Sequence, residues 1–404
     1  MKAEQGMKRI YLITLLSALA VLVAAFCIHQ IFDVKGEDRK IKVGFVYVGD
    51  ASTAYTCNFL RAQLAIETEY GNQAEVIAKY NVAEGNESIA LQELVDAGCT
   101  LIFTTSFGYG ESAKEYAKMY PNVQFCQATC TNANTEPVLE NYHTFMGAIY
   151  QGRYISGVVA GMKLKELIDS GMLSAGQAKI GYVGAYPFAE VISGYTAFFL
   201  GVRSVIPEAE MTVKYTNTWS SYTLEKACAK ELIEEGCVII AQHSDTVGPA
   251  AACEETEKTQ IVYHVGYNQS MLNVAPSTYL TGSRIDWKPY ILSAVEAVLA
   301  EKDIESYLKG NIHGNDAGAG FDEGWVQMLE LNELVAAEGT KEKVAELIEE
   351  FKDGNLNVFQ GEYIGVNPYD KTDILDLREG YIENETCSAP TFSYVLEDVI
   401  TVEE

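Results

Sequence analysis

The chain has 404 residues, and its 29 Lys and Arg against 56 Asp and Glu give a formal net charge of −27. With 48% hydrophobic and 21% charged residues, the composition is that of a folded globular protein and excludes a disordered or fibrous one. Nucleic-acid binding is also excluded, because it needs a basic patch and no long run of Lys or Arg occurs. A chain of this length is expected to divide into lobes rather than build a single core.

The N-terminal segment, residues 1–32, predicts export or insertion into the plasma membrane. Lys2, Lys8 and Arg9 precede an uncharged run over residues 10–28, which is long enough to cross a bilayer. The basic flank stays inside, so the rest of the chain is expected on the extracytoplasmic side. Cys27 is a possible lipidation site, but the bulky Phe26 before it slightly favours an uncleaved anchor. Cleavage, lipidation and retention all remain open.

Strands and helices are expected to alternate from residue 40 onwards. The first series has strands at 40–50, 74–80, 100–106 and 123–128, with helices at 56–70, 84–97 and 111–120. Residues 145–150 lead into a long helix at 151–168, whose Gly157, Ala160 and Gly161 permit close packing. The second series has strands at 179–186, 211–219, 237–245, 260–268 and 278–285. Its helices are expected at 191–205, at 224–235, between the strand at 237–245 and residue 258, and at 289–308.

This alternation is typical of βαβ units and parallel sheets. Two successive series predict two similar lobes, one over residues 41–150 and one over residues 151–288. The predicted fold class is therefore α/β, with two doubly wound parallel-sheet lobes.

No motif of catalysis or of metal binding is complete. The chain contains no GxGxxG, GxxxxGK[ST] or GxSxG sequence and no evident pair of nucleophile and base. His243 and Asp245, with His264 further on, give only a weak metal signal, because no cluster completes four ligands. We therefore predict no cofactor, no metal and no enzymatic activity.

Nine cysteines are scattered along the chain, and most of them lie in apolar runs that favour a core-packing role. Only Cys126 and Cys130 are close in sequence. A disulfide between them is the less favoured alternative.

A ligand is expected beyond the carboxyl ends of the strands, where open α/β sheets bind theirs. The residues at these predicted ends are mostly aromatic or carry amide and carboxyl groups: Gly49, Asp50, Tyr55, Ser106, Phe107, Tyr109, Pro187, Phe188, Glu190, Trp219, His243, Asp245, Tyr267, Asn268, Asp286 and Trp287. Aromatic faces stack on flat rings, and carboxylates accept hydrogen bonds from N–H and hydroxyl groups. This set favours a flat, largely uncharged ligand.

Several collinear stretches resemble the basic membrane protein family of ABC-transporter substrate-binding proteins. They include TLIFTTSFGYG, NYHTFMGAIYQGRYISGVVAGM, KIGYVGAYPFAEV, VGYNQSM and LTGSRIDWKPY, and the likeness covers most of residues 41–365. The resemblance implies a type I periplasmic-binding-protein fold, in which two lobes joined by a three-strand hinge close on a ligand. Residues 289–404 would then cross the hinge, complete both lobes and end in an acidic C-terminal extension.

The resemblance also implies ligand-binding residues and partners. The family's cleft positions fall on Tyr55, Ser106, Phe107, Glu190, Trp219, His243, Asp245 and Trp287. Asn268, at a predicted strand end, completes the nine predicted ligand-binding residues. ABC permease and ATPase subunits would be the protein partners, and the N-terminal anchor would hold the chain at the membrane.

The resulting hypothesis is an extracytoplasmic receptor that captures a purine nucleoside or base for an ABC importer. A receptor for a sugar or another small polar metabolite is the main alternative. An exported enzyme acting on nucleosides and a membrane-tethered sensor lobe are two further hypotheses, the first disfavoured by the missing nucleophile–base pair.

Overall fold

The computed structural model describes residues 39–403. The predicted export segment and Cys27 lie outside these residues. Between residues 39 and 403, no helix is both long and apolar enough to span a membrane.

The first sheet belongs to the N-terminal lobe and has the strand order β11–β12–β5–β4–β3–β1–β2. Its strands are β1 (Ile41–Val46), β2 (Ala74–Lys79), β3 (Leu101–Thr104), β4 (Gln124–Ala128), β5 (Tyr142–Gly147), β11 (Asn311–His313) and β12 (Asp316–Ala319). All neighbours pair in parallel except β11 and β12. The central strands β1, β3, β4 and β5 are almost entirely buried, because helices cover both faces of the sheet.

The second sheet belongs to the C-terminal lobe and has the order β13–β10–β9–β8–β6–β7–β16. Its strands are β6 (Lys179–Gly184), β7 (Glu210–Tyr215), β8 (Ile239–His243), β9 (Tyr263–Tyr267), β10 (Tyr279–Ile285), β13 (Val326–Met328) and β16 (Ile400–Glu403). Only β13 runs antiparallel to its neighbour. The predicted pair of doubly wound α/β sheets is thus confirmed.

The first eight helices of the described residues follow the predicted series closely, whereas the last, at Thr340–Lys352, is not part of it. The helices are α1 (Ala54–Tyr70), α2 (Glu87–Asp96), α3 (Gly110–Met119), α4 (Tyr150–Asp169), α5 (Ala189–Arg203), α6 (Tyr222–Glu234), α7 (Gly248–Thr256), α8 (Lys288–Ala300) and α9 (Thr340–Lys352). Helix α8 packs on α1 in the N-terminal lobe, whereas α9 packs on α4 in the C-terminal lobe.

The helix predicted over residues 289–308 is shorter than expected. It ends at Ala300 because Glu301 adopts the left-handed conformation, with φ of 55°. Lys302 N then donates to Ala297 O at 3.0 Å, a bond typical of a helix C-terminus. A separate 3₁₀ turn, Ile304–Tyr307, follows.

The chain passes between the two sheets three times. The crossings connect β5 to α4, β10 to α8, and β12 to β13. Two backbone hydrogen bonds hold the crossings side by side. Ala148 N donates to Ala319 O, and Asp286 N donates to Trp325 O, each at 2.8 Å. These three segments form the hinge. We keep the predicted boundaries 41–150, 151–288 and 289–404 as our proposal for the domains.

Close packing of α4 on α5 depends on glycine. A Cβ atom on Gly157 would lie 1.9 Å from Phe198 O, and one on Gly201 would lie 2.1 Å from Tyr154 O. Neither position has room for a side chain, so the predicted role of Gly157 is confirmed. The two helices fix the C-terminal lobe next to the hinge.

The C-terminal extension forms a hairpin and one further strand. The strands β14 (Ile364–Asn367) and β15 (Asp370–Asp376) pair with each other, and β16 joins the edge of the second sheet beside β7.

The eight cysteines of the described residues are all free, so Cys126 and Cys130 form no disulfide.

Candidate functional site

A cleft between the lobes opens at the carboxyl ends of the strands. Ten side chains line it: Val48, Tyr55, Ser106, Phe107, Thr129, Glu190, Trp219, His243, Asp245 and Tyr267. Seven of these belong to the nine predicted ligand-binding residues. The space not filled by protein is about 390 Å³, including the part open to solvent.

The wall from the N-terminal lobe is held by hydrogen bonds at its base. Tyr55, on the first turn of α1, donates from its hydroxyl to Thr105 O at 2.5 Å. Ser106 donates to Glu84 Oε1 at 2.6 Å, and Gly108 N donates to the same oxygen at 2.8 Å. The Glu84 carboxylate therefore shapes the turn that carries Phe107 into the cleft.

The wall from the C-terminal lobe is an aromatic cluster of Tyr186, Phe188 and Trp219. Tyr186 stacks on Phe188 at a centroid distance of 5.1 Å and meets Trp219 edge-on at 5.2 Å. Phe107 from the other lobe lies 5.5 Å from Phe188, so the two walls touch at the mouth. Both phenylalanines remain partly exposed there, 48% for Phe107 and 40% for Phe188.

Three polar side chains follow one another along the C-terminal wall. Glu190 lies in the first turn of α5, and its Oε1 is 3.3 Å from His243 Nε2. His243 ends strand β8, and Asp245 follows it with its backbone N–H donating to Trp219 O at 3.0 Å. The edge of a bound ring would therefore meet carboxyl and imidazole groups.

Burial changes the protonation of this group. Desolvation, together with the nearby Glu225 and Glu190 carboxylates, raises the pKa of Asp245 to about 8. Desolvation, together with the Arg153 guanidinium, lowers the pKa of His243 to about 4. At neutral pH Asp245 therefore mostly carries its proton and His243 is neutral, so both can donate and accept hydrogen bonds.

Arg153 lies behind the cleft and is only 3% exposed. Its guanidinium carbon is 3.5 Å from the centroid of the Tyr267 ring, and its Nη1 donates to Gln242 O at 2.8 Å. Its Nε and Nη2 atoms have no hydrogen-bond partner among the described residues. This buried cation fixes the Tyr267 ring and the backbone just before His243.

Two predicted residues, Asn268 and Trp287, lie behind the lining. Trp287 is buried and stacks flat on Phe59, at 4.4 Å and 14°, and it meets Tyr55 edge-on at 6.4 Å. Asn268, just after β9, donates from Nδ2 to Asp245 Oδ1 at 3.4 Å. The structure thus places both residues where they support lining side chains.

Val48, Thr129 and Tyr267 line the cleft but are not among the nine predicted ligand-binding residues. The strand-end rule already indicates Tyr267 as a candidate, and Val48, just beyond the carboxyl end of β1, carries the same signal. Thr129 follows β4 with a φ of 66°, an unusual conformation for a threonine that the sequence does not reveal. Among the described residues, no group of His, Cys, Asp and Glu could hold a metal ion.

Comparison with known proteins agrees with this architecture. The family model described as Bmp, ABC transporter substrate-binding protein PnrA-like, matches residues 40–355. A purine-binding protein of Brucella abortus (strain 2308) is 30% identical over 326 residues, which are 80% of this chain and 84% of that protein. A protein of Haloferax volcanii named as the ABC transporter glucose-binding protein TsgA13 is 27% identical over 328 residues, covering 80% and 75%.

Among solved structures, the solute-binding protein of an ABC transporter system from Aeropyrum pernix K1 superposes with a TM-score of 0.64. It is 16% identical and covers 82% of this chain and 95% of that one, a likeness that concerns the fold. The chain has the type I periplasmic-binding-protein fold and belongs to the Bmp family of ABC transporter substrate-binding proteins.

Proposed function

We propose that this protein captures a purine nucleoside or base in the interlobe cleft and presents it to an ABC permease. The observation that carries the proposal is the pairing of aromatic walls from both lobes with one polar edge. Tyr55 and Phe107 from one lobe face Trp219 from the other, and Glu190 and Asp245 lie along the C-terminal wall. A flat heteroaromatic ring suits such a slot, because stacking uses its faces and hydrogen bonds use its edge.

The protonation pattern fits a purine edge, which has both acceptor nitrogens and N–H donors. The raised pKa of Asp245 makes its carboxyl an O–H donor at neutral pH. Glu190 and the neutral His243 supply further hydrogen-bonding groups on the same wall. The similarity to a protein described as purine-binding supports this choice of ligand.

Capture works by closure about the three-segment hinge. A ligand that contacts both walls binds the closed form more tightly than the open form, and this difference in affinity shifts the population towards closure. The closed form is what a permease would recognise. The permease and ATPase partners, and an extracytoplasmic body held by residues 1–32, belong to the same proposal.

A sugar receptor is the second candidate, because one relative is named as glucose-binding and carboxyl groups also accept hydrogen bonds from hydroxyls. A thermal-shift screen with adenine, adenosine, guanosine, glucose and ribose separates the two. A ligand that binds only the folded state raises the unfolding free energy by about 2.7 kcal/mol at a hundred times its Kd. We expect stabilisation by a purine compound; stabilisation by sugars alone would replace the purine proposal.

A further inference from the structure

Residues 356–403, which include the C-terminal extension from Val366 onwards, lie beyond the part of the chain that the family model matches. They are nevertheless integral to the fold, because Phe359, Phe392 and Leu396 are buried in the main core. Phe359 stacks on Phe392 at 4.5 Å and lies 5.7 Å from Tyr150, the first residue of α4 after the hinge. The extension is therefore packed next to the hinge.

One point of the extension is fixed to the C-terminal lobe. Glu383 is buried, and its Oε2 accepts a hydrogen bond from Ser193 Oγ on α5 at 2.6 Å. Its Oε1 accepts from the backbone N–H and the hydroxyl of Thr391, at 2.7 and 3.0 Å. Hydrogen bonds to a carboxylate are stronger than those between neutral groups, so this attachment is firm.

A second point is fixed to the N-terminal lobe. Ser388 donates its backbone N–H to Asp316 Oδ2 at 2.5 Å and its hydroxyl to Asp316 Oδ1 at 2.7 Å. Asp316 is on β12 and also accepts from Thr144 Oγ1 on β5, at 2.6 Å. Backbone and side chain of Ser388 are thus both tied to the first sheet.

Only four residues lie between these two attachments, and hydrogen bonds within the segment hold its shape. Asn384 has a φ of 62°, and its Nδ2 donates to Cys387 O at 3.1 Å and to Ser388 O at 2.6 Å. We call residues 383–388 the strap. A polar cavity beneath it is lined by strap residues and by Ala148 and Gly320 of the hinge crossings.

We propose that the strap links the two lobes across the hinge, favours their closed arrangement and thereby sets the affinity of the cleft for its ligand. Both attachments are satisfied in this structure, in which the two walls of the cleft already touch at Phe107 and Phe188. Rotation of the lobes changes the spacing between α5 and β12, which a short, internally bonded segment resists. When fewer molecules are closed, the apparent affinity for the ligand is lower in proportion. The affinity part of this inference rests on the proposed function; the part on lobe arrangement does not.

The test uses Ser193→Ala and Ser388→Ala in the full chain. Each removes one hydroxyl from an attachment, and Ser388→Ala keeps the backbone bond and the methylene packed near Gly318. Ser156→Ala is the matched control, because Ser156 is equally buried but donates only to Gly152 O within its own helix. Thermal unfolding confirms that each variant is folded before the measurements.

Small-angle X-ray scattering without ligand gives the lobe arrangement. We expect a larger radius of gyration for Ser193→Ala and for Ser388→Ala than for the wild type, with Ser156→Ala unchanged. Calorimetric titration with adenine should give about three- to tenfold weaker binding for the two strap variants only. Scattering curves identical to that of the wild type in both strap variants would overturn the proposal, as would tighter binding of adenine. If adenine does not bind, adenosine and guanosine replace it in the titration. If none of the three binds the wild type, the proposed function fails and the scattering alone decides on the strap.

Discussion

Asn58 on α1 donates from its side-chain Nδ2 to Asn268 Oδ1 at 3.1 Å, across the boundary between the lobes. Both side chains are only 2% exposed. Asn268 in turn donates to Asp245 Oδ1, and Ala54 N at the start of α1 donates to Asp245 O at 3.5 Å. A residue of the cleft wall is therefore connected to the opposite lobe through buried polar contacts that exist only when the lobes are together.

Asn58→Ala should weaken ligand binding by about 1–2 kcal/mol, because the closed form then leaves the buried Asn268 Oδ1 without its donor. Titration calorimetry with the best ligand from the thermal-shift screen measures the effect. Asn332→Ala is the control, since that buried amide bonds to Pro276 O away from the cleft. Equal losses in the two variants would mean that Asn58 has only a general role in stability.

Asp245→Asn should stabilise the unliganded protein at pH 8 and change little near pH 4. Desolvation, together with Glu225 and Glu190, raises the folded-state pKa of Asp245 from 3.8 to about 8. Between these two pH values the unfolded chain has lost the proton that the folded chain keeps. The free energy of unfolding of the wild type therefore falls by up to about 1.4 kcal/mol for each unit that the pH rises. Asparagine removes this penalty. Urea unfolding at pH 4, 6 and 8 measures the difference.

Asp50→Asn provides the contrast for that experiment. The hydrogen bond from Ser52 and the contact with Asn81 lower the pKa of Asp50 to about 2, so its ionised form is favoured in the folded state. Its contribution is present above pH 4 and disappears as the pH falls towards 2. Asp50→Asn should therefore give no gain at pH 8. A gain at pH 8 from Asp50→Asn, or none from Asp245→Asn, contradicts this account of the two carboxyls.

Arg153→Met should weaken ligand binding by roughly tenfold, whereas Arg153→Lys should lose less. Methionine fills similar volume but removes both the cation over Tyr267 and the donor to Gln242 O. Lysine keeps the charge next to His243 and Asp245. Calorimetry on both variants measures affinity, and circular dichroism checks the fold. Equal affinity of the methionine variant and the wild type would show that the buried cation is irrelevant to the cleft.

Phe107→Ala and Phe188→Ala should each accelerate ligand dissociation, because the pair closes the mouth of the cleft from opposite lobes. Because each substitution removes only one of the two rings that close the mouth, we expect a several-fold rise in koff. Stopped-flow displacement measures it. Leu64→Ala on the exposed face of α1 is the control and should leave koff unchanged. A normal koff in both phenylalanine variants would show that the mouth closes elsewhere.

Much of the fold was predictable, because alternating apolar strands and helices fix the order of βαβ units. The rule that ligands bind at the carboxyl ends of strands brought together Tyr55, Phe107, Glu190, Trp219 and Asp245, although they are spread over 190 residues. Their exact roles as ligand contacts stay a prediction.

Other features depend on tertiary contacts and leave no local pattern. Arg153 sits in a helix rich in small residues, where nothing in the sequence indicates that its charge is buried against Tyr267. The end of α8 at Ala300 results from one left-handed residue, Glu301, a conformation that Glu rarely adopts. The strap was equally hidden, because Glu383 and Ser388 find their partners 190 and 72 residues away.

Calorimetric titration of adenine, guanosine and glucose into the wild-type protein and Trp219→Ala tests the central proposal most directly. We predict that a purine compound binds with one site per chain and that Trp219→Ala weakens this binding by about 1–3 kcal/mol, the range found for stacking on one ring. Binding of glucose without any purine, or a purine affinity that Trp219→Ala leaves unchanged, would contradict a purine receptor with its site in this cleft.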